Sequence, residues 1–535
     1  MPLRGYLYLA VFSSGMTTLA IELTASRLLG NIFGTSNLIW ANVIGLMLLY
    51  LTAGYFIGGR LADRSPTPVR LYQIMAWGAF FSGIVPIVAR PLLSAAGAAV
   101  VGFQVGVALP SFVVVLVLFA LPVTLLGCVS PFAIRLAVTD LAEAGKVSGR
   151  IYAISTLGSL IGTFLPVLWL IPEAGTTRTF LYFSLYLLLV ALGGLLLSGA
   201  VGRRAALWLA WQPPLLILLT ALTLSSGLRP PPEARRLLYE HDSAYNYIQV
   251  TELTAPIGRL VNGVWAPLWA VGTRELYLNE GQGVHSIYTP GGGFYGGTWD
   301  MFLAAPFFNA PPYTPDDMHR LAVIGAAAGT ISTQYTAVFG EDVTITGFEI
   351  DPTIIEVGRR YFGMTQPNVT VIAEDGRVGL RGTAGKFDVI AMDAYRVPYV
   401  PWHLTTVEFF QEVSDKLSNR GAAVINVGRA GADRRLVEAI TATLLIVFPT
   451  VHTIDVPDSF NTILVATRVE TTPANLAANR AILPTGSDPL LRQALETAAA
   501  NVAPTVRGDL IFTDDRAPVE TLINAMVIEY LVGRR

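Results

Sequence analysis

The chain has 535 residues, 53% of them apolar, with a mean hydropathy of +0.53 and a formal charge of −2. It is too long for one ordinary core and too apolar for a purely globular protein, so a membrane-embedded part and a separate domain are expected. The near-neutral total hides an asymmetry: residues 1–230 carry 13 Lys/Arg and 5 Asp/Glu, or +8, whereas residues 231–535 carry 23 and 33, or −10. The acidic second half has no basic stripe for phosphates, which argues against nucleic acid as a partner. The single cysteine, Cys128, lies in an apolar stretch and rules out both a disulfide framework and a thiolate zinc site within one chain.

Apolar runs long enough to cross about 30 Å of hydrocarbon lie near residues 7–29, 37–59, 71–89, 104–126, 151–171, 179–199 and 205–226. The Gly/Ala-rich stretch 91–107 is either an eighth span or an interfacial segment, so a lipid-embedded bundle of seven or eight spans is expected over residues 1–226. With seven spans, Arg4, Arg60, Arg64, Arg70, Arg135, Lys146, Arg150, Arg203 and Arg204 share one side, which the positive-inside rule makes cytoplasmic, and the second half lies outside. With eight, the second half shares the cytoplasm with the N-terminus, but Arg135, Lys146, Arg150, Arg203 and Arg204 move outside. Glu22 and Arg27 fall in or at the end of the first span, where an ionised group needs an interior partner. They are either a transport or ligand site, or a polar anchor between helices. Gly158, Gly162 and Pro166 fit close helix approach. The segment Gly58-Gly59-Arg60-Leu61-Ala62-Asp63-Arg64 resembles the loop between the second and third helices of major facilitator transporters.

The run Arg229-Pro230-Pro231-Pro232 ends the last span and marks a boundary. Residues 233–315 read as a small β-rich region, with Tyr247-Ile248-Gln249-Val250 and Glu275-Leu276-Tyr277-Leu278 as strands. Residues 316–535 then alternate strand and helix, the pattern of a Rossmann-like α/β domain of methyltransferase type with a parallel sheet. Leu321 to Ile324 is a buried strand, and Gly325-Ala326-Ala327-Ala328-Gly329 is the turn into a helix. Glycines at 325 and 329 suit a backbone that approaches a ligand. Glu349, at the end of the next strand, stands at the spacing from which an acid accepts both ribose hydroxyls. Asp375 follows a third strand, where a carboxylate can receive the exocyclic amine of adenine, and Asp393 ends a fourth and so points into the crevice at the carboxyl edge of the sheet. The plain alternative for each acid is a helix cap or a solvated turn.

These motifs resemble the spermidine synthase family of aminopropyltransferases over residues 240–430. They are Gly325-x-x-x-Gly329, Gly347-Phe348-Glu349-Ile350-Asp351-Pro352, Ala373-Glu374-Asp375-Gly376-Arg377, and Met392-Asp393-Ala394-Tyr395 followed by Leu404-Thr405-Thr406-x-x-Phe409-Phe410. The whole chain is similar to bacterial proteins that fuse a transporter-like bundle to such a domain. The resemblance implies that Glu349 holds the ribose, Asp375 the adenine, and that Asp393 orients or deprotonates an attacking amine. It also implies decarboxylated S-adenosylmethionine or S-adenosylmethionine as the nucleoside ligand, methylthioadenosine as product, a polyamine or other amine as acceptor, and no metal. Tyr395 lines the acceptor pocket or packs under the next loop, and Gln282 touches the nucleoside or sits in a turn.

The departures lie on the acceptor side. The family's acid in the Gly-rich turn is replaced by Ala326-Ala327-Ala328, its second acid after the catalytic Asp by Arg396, and its Tyr-His-Glu signature by Thr298-Trp299-Asp300. His285 and His403 are near the crevice by sequence, with His403 a base or, more simply, a packing residue. The acids of 513–520 cap the final helix or make up acidity at the acceptor site. Three functions are consistent with this pattern: aminopropyl transfer, methyl transfer on the same scaffold, and a transporter or sensor with a non-catalytic binding domain. A homo-oligomer in the inner membrane is expected. The supply of adenosylated ligands places the second half in the cytoplasm, against the seven-span charge count.

Overall fold

The computed structural model describes residues 2–33, 37–102, 108–225, 230–261, 264–279, 283–395 and 399–531. The chain folds as two units, Met1–Pro230 with His241–Tyr247, and Pro231–Glu240 with Ile248–Arg535.

The first unit is helical apart from His241–Tyr247. It comprises α1 (Pro2–Phe33), α2 (Asn37–Arg64), α3 (Pro68–Gly102), α4 (Ala108–Gly127), α5 (Val129–Ala137), α6 (Ala144–Leu165), α7 (Ile171–Ala174), α8 (Thr176–Leu197), α9 (Gly199–Leu209) and α10 (Gln212–Ser225). Among the described residues seven stretches are long and apolar enough to cross a membrane: Gly5–Gly30, Ile39–Arg64, Pro68–Leu93, Pro110–Ala137, Leu141–Ala174, Thr176–Leu197 and Gly199–Ser225. The stretch read as a possible eighth span is instead the continuation of α3 as far as Gly102, and residues 103–107 lie outside the described residues. Leu48, Phe56, Leu168, Trp169 and Leu207 are exposed on the outside of this unit, as side chains facing lipid would be.

Small residues set its closest contacts. A Cβ on Gly158 would lie 2.1 Å from the Phe12 carbonyl oxygen, and one on Gly162 2.0 Å from that of Met16, so α1 and α6 touch backbone to backbone. Gly54 meets Thr124 and Gly127 in the same way, and Gly58 meets Cys128, whereas Gly59 faces open space. Cys128 itself is buried, which fits a packing role. Arg27 does not depend on Glu22. It pairs with Asp242 at 3.2 Å, and the other oxygen of Asp242 accepts from the Thr176 N–H and hydroxyl at the start of α8.

The second unit holds two sheets and a hairpin. A four-stranded antiparallel sheet is ordered β1 (Arg235–Asp242), β2 (Tyr247–Leu253), β5 (Arg274–Leu278), β6 (Val284–Tyr288), with β3 (Ile257–Val261) and β4 (Val264–Trp269) as a separate hairpin. Its Ile248, Val250, Leu276 and Leu278 pack on Ala328, Ile354, Val357 and Phe362. After the short helix α11 (Thr298–Phe302) comes the main sheet, built from β7 (Arg320–Ile324), β8 (Thr344–Glu349), β9 (Val369–Ala373), β10 (Phe387–Met392), β11 (Leu417–Gly428), β12 (Thr450–Asp455), β13 (Asn461–Thr467) and β14 (Val502–Ala503).

The order is β14-β12-β13-β11-β10-β7-β8-β9. Strands β7 to β11 are parallel, and β13, β12 and β14 continue the sheet antiparallel. The parallel sheet expected from the sequence is present over β7 to β11, and three antiparallel strands extend it. Helices α12 (Thr330–Phe339), α13 (Pro352–Tyr361), α14 (Gly376–Gly382), α15 (Val407–Lys416), α16 (Arg435–Val447), α17 (Pro473–Ala481), α18 (Pro489–Ala500) and α19 (Val519–Leu531) complete the unit. Alternate strand residues divide the core into two layers: Leu321, Val323, Val389 and Ala391 enter one, Ala322, Ile324, Ile390 and Met392 the other. The order of the strands reverses between β7 and β10, and at such a switch point the strand ends leave a crevice.

Candidate active site

Register brings the sequence motifs to one level. Ile324 pairs with Phe348 on one side and with Met392 on the other, so the next residues, Gly325, Glu349 and Asp393, leave the sheet side by side. Ala373 pairs with Glu349, which puts Asp375 two residues beyond the same edge.

The Gly-rich turn is closed by its own protein contacts. Gly325 has φ +79° and its absent Cβ would lie 2.6 Å from the Cα of Ala394; Gly329 has φ +94° and its Cβ would lie 2.5 Å from the Met364 sulfur. Both positions need glycine for conformation and for close packing by distant residues. The turn amides are also occupied. Gly325 and Ala326 donate to the Phe348 carbonyl, Ala327 to Glu349 Oε2, Ala328 to the Ser286 hydroxyl and Gly329 to the Ala326 carbonyl.

Glu349 is 8% exposed and burial pushes its carboxyl up to about 7, against hydrogen bonds from the Asp351 and Ala327 amides that favour the ionised form. Asp375 caps α14, its Oδ1 accepting from the Arg377 and Val378 amides, while its Oδ2 lies 2.9 Å from His403 Nε2. The His403 contact leads the effects that hold the Asp375 carboxyl below the usual range. His403 is thus a partner of Asp375, on the β9 side of the crevice. Arg377, next along, pairs with Glu412 and Asp514, and Asp514 also accepts from Thr406. The acids of the 513–520 tail therefore fasten α14 and α15 through Asp514.

Asp393 is half-buried. Its Oδ2 accepts from the Trp299 indole N–H at 3.1 Å and its Oδ1 from the Asn426 amide at 2.9 Å. Loss of water pushes its carboxyl up, with both donors opposing. The Tyr395 hydroxyl donates to the Asn426 carbonyl at 3.1 Å, and burial drives its phenol pKa well up. Asp300, which stands in the place of a signature acid, is wholly buried and bonded to the Gln334 amide and to the backbone of Tyr295 and Gly297. His285 is on β6, one residue from the Ser286 that holds the turn; burial lowers its pKa to about 4. Gln282 and Arg396 lie outside the described residues. Trp299 and Asn426 were not anticipated. The signal for Asn426 was the apolar run of β11 beside β10, whose end reaches the same edge.

Residues 322–474 match the family model of the spermine/spermidine synthase domain. The chain is 29% identical over 301 residues to a probable polyamine aminopropyl transferase of Bifidobacterium longum, covering 54% of this chain and 62% of that protein. It is 35% identical over 133 residues to a polyamine aminopropyltransferase of Vibrio vulnificus, covering 24% and 41%. The chain thus spans less than two thirds of the length of either relative. A crystal structure of a probable spermidine synthase from Corynebacterium glutamicum is 19% identical with a TM-score of 0.37, covering 53% of this chain and 99% of that one. All three predicted acids, Glu349, Asp375 and Asp393, lie within the matched residues.

Proposed function

We propose that the chain is a membrane-anchored transferase that moves the aminopropyl group of decarboxylated S-adenosylmethionine to an amine and releases methylthioadenosine. The observation that carries this reading is the set of carboxylates Glu349, Asp375 and Asp393 at the ends of β8, β9 and β10, inside the segment matched by the synthase family model. In this reading Glu349 has one backbone bond on each oxygen and offers its remaining lone pairs to the two ribose hydroxyls. Asp375 Oδ2, beside His403, accepts from the exocyclic amine of adenine, with Gln282 on the nucleoside side. Asp393 orients the acceptor amine and takes its proton, with Tyr395 next to it. The amine nitrogen forms a C–N bond as the adjacent C–S bond breaks and its electron pair returns to sulfur. The relatives' printed names support polyamines as the acceptor class.

A second reading, methyl transfer from S-adenosylmethionine, is favoured by one observation: the turn Ala326-Ala327-Ala328 carries no acid for the amine of a decarboxylated donor. The deciding experiment incubates the purified full chain with each labelled donor and with putrescine, spermidine or cadaverine. Aminopropylated product supports the first reading and methylated product the second. Neither product, alongside tight methylthioadenosine binding, supports a binding module and sinks both.

The seven apolar helices support residence in a membrane. The synthesis of adenosyl donors in the cytoplasm supports a cytoplasmic α/β half, whereas seven spans with the basic residues grouped at Arg60, Arg64, Arg135 and Arg203 oppose it. A phosphatase or fluorescent reporter fused at Arg535 reads the side directly, and phosphatase activity there would overturn the cytoplasmic reading.

A further inference from the structure

Asp393 is held from both ends of its carboxylate. The main chain is fixed by its N–H, which donates to the Ile324 carbonyl at 2.9 Å. Oδ1 receives the Asn426 amide and Oδ2 the Trp299 indole. An indole N–H is a donor only, so it favours the ionised over the protonated form of the oxygen it meets. Trp299 is itself anchored by its neighbours on α11. Thr298 accepts from the Asn461 side chain at 2.8 Å, and Asp300 accepts from Gln334 and from the Gly297 and Tyr295 amides. The helix is therefore fastened on both sides of the residue that reaches Asp393. Of the groups around it, the Tyr395 phenol feels the Asp393 charge, while Asp300 on α11 is turned to Gln334; β7 and β11 present Ile324 and Asn426 to it.

We infer that Trp299 is a positioning residue for Asp393: its indole N–H, opposite the Asn426 amide, locks the carboxylate in one orientation and keeps it ionised for an incoming acceptor amine. This rests on the role given to Asp393 above. A tryptophan that merely packed would leave the protonation of Asp393 unchanged on loss of the N–H, so the two roles separate experimentally.

The test uses the full chain in detergent. The Asp393 carboxyl is followed by infrared difference spectroscopy against Asp393→Asn, and transfer is measured as a function of pH. Removing one donor in Trp299→Phe is expected to raise the Asp393 midpoint by about one pH unit. The acid limb of kcat should move up with it, and kcat should fall by roughly tenfold while the donor KM stays within about twofold. Trp299→His, which retains a ring N–H, is expected to recover part of the loss. Asn426→Leu removes the other donor, should shift the midpoint in the same direction, and carries the test if Trp299→Phe does not fold. An unmoved midpoint in a folded, methylthioadenosine-binding variant overturns the inference. If wild type transfers no group, the proposed function falls, and the Asp393 titration still decides the role of Trp299.

Discussion

Glu349 ties its own strand to the Gly-rich turn: Oε2 accepts from the Ala327 amide at 3.0 Å and Oε1 from the Asp351 amide at 3.1 Å. The acid is thus fixed before any ligand arrives. Replacing it by alanine removes both the anchor of the turn and the proposed ribose acceptor. Glu349→Ala is expected to weaken methylthioadenosine binding by one to two orders of magnitude, since charge-assisted hydrogen bonds contribute about 1.5–3 kcal/mol each and water restores part. Titration calorimetry measures this, and an unchanged Kd would remove Glu349 from the site.

The same residue sets a pH dependence. Burial raises its folded pKa to about 7 from an ordinary value of 4.5, so between those values the folded state holds a proton that the unfolded chain has lost. Stability from this group is therefore full below about pH 4.5 and lost as pH rises through 7. Relative to Glu349→Gln, wild type should lose on the order of 3 kcal/mol between pH 4.5 and 8, read as melting temperature against pH. The ionised carboxylate accepts hydroxyls more strongly than the protonated acid, so methylthioadenosine affinity should rise over the same interval. A flat affinity profile would show that Glu349 binds no hydroxyl.

Asp393→Asn preserves the shape of the side chain but cannot accept a proton. Turnover should drop by about 10²-fold or more, while methylthioadenosine affinity changes little. A fully active variant would assign the base elsewhere.

In the helical unit the glycines differ sharply. A side chain at Gly158 meets the Phe12 backbone, whereas one at Gly59 meets nothing within 4 Å. Gly158→Val should destabilise the unit by about 1–3 kcal/mol through overpacking, and Gly59→Ala should be neutral or stabilising by up to about 1 kcal/mol. Thermal melts in one detergent compare them; equal melting temperatures would mean that α1 and α6 do not meet at Gly158.

The acids of the site were legible because each follows a short apolar strand, and a strand end has a fixed place in a parallel sheet. The reason for the glycines was not. The atoms that exclude a Cβ at Gly325 and Gly329 belong to Ala394 and Met364, residues 69 and 35 positions away (394−325, 364−329). Trp299 was hidden for the same reason, since its partner lies 94 residues on. The antiparallel strands β12 and β13 went unread because strands buried on both faces lack the alternation that marks a half-exposed one: β13 is buried from Thr462 to Thr467. Seven spans could not be told from eight because Pro86 and Pro91 do not end α3, which runs on through them.

The occupied amides of the 325–329 turn carry a consequence for ligand choice. A dinucleotide or triphosphate relies on free backbone N–H groups at such a turn to neutralise its phosphates. Here those five amides already serve Phe348, Glu349, Ser286 and Ala326. A pyrophosphate would have to strip the turn of its own bonds and would meet the Glu349 carboxylate. Under the proposed function, therefore, ATP and NAD should fail to compete with methylthioadenosine even at millimolar concentration.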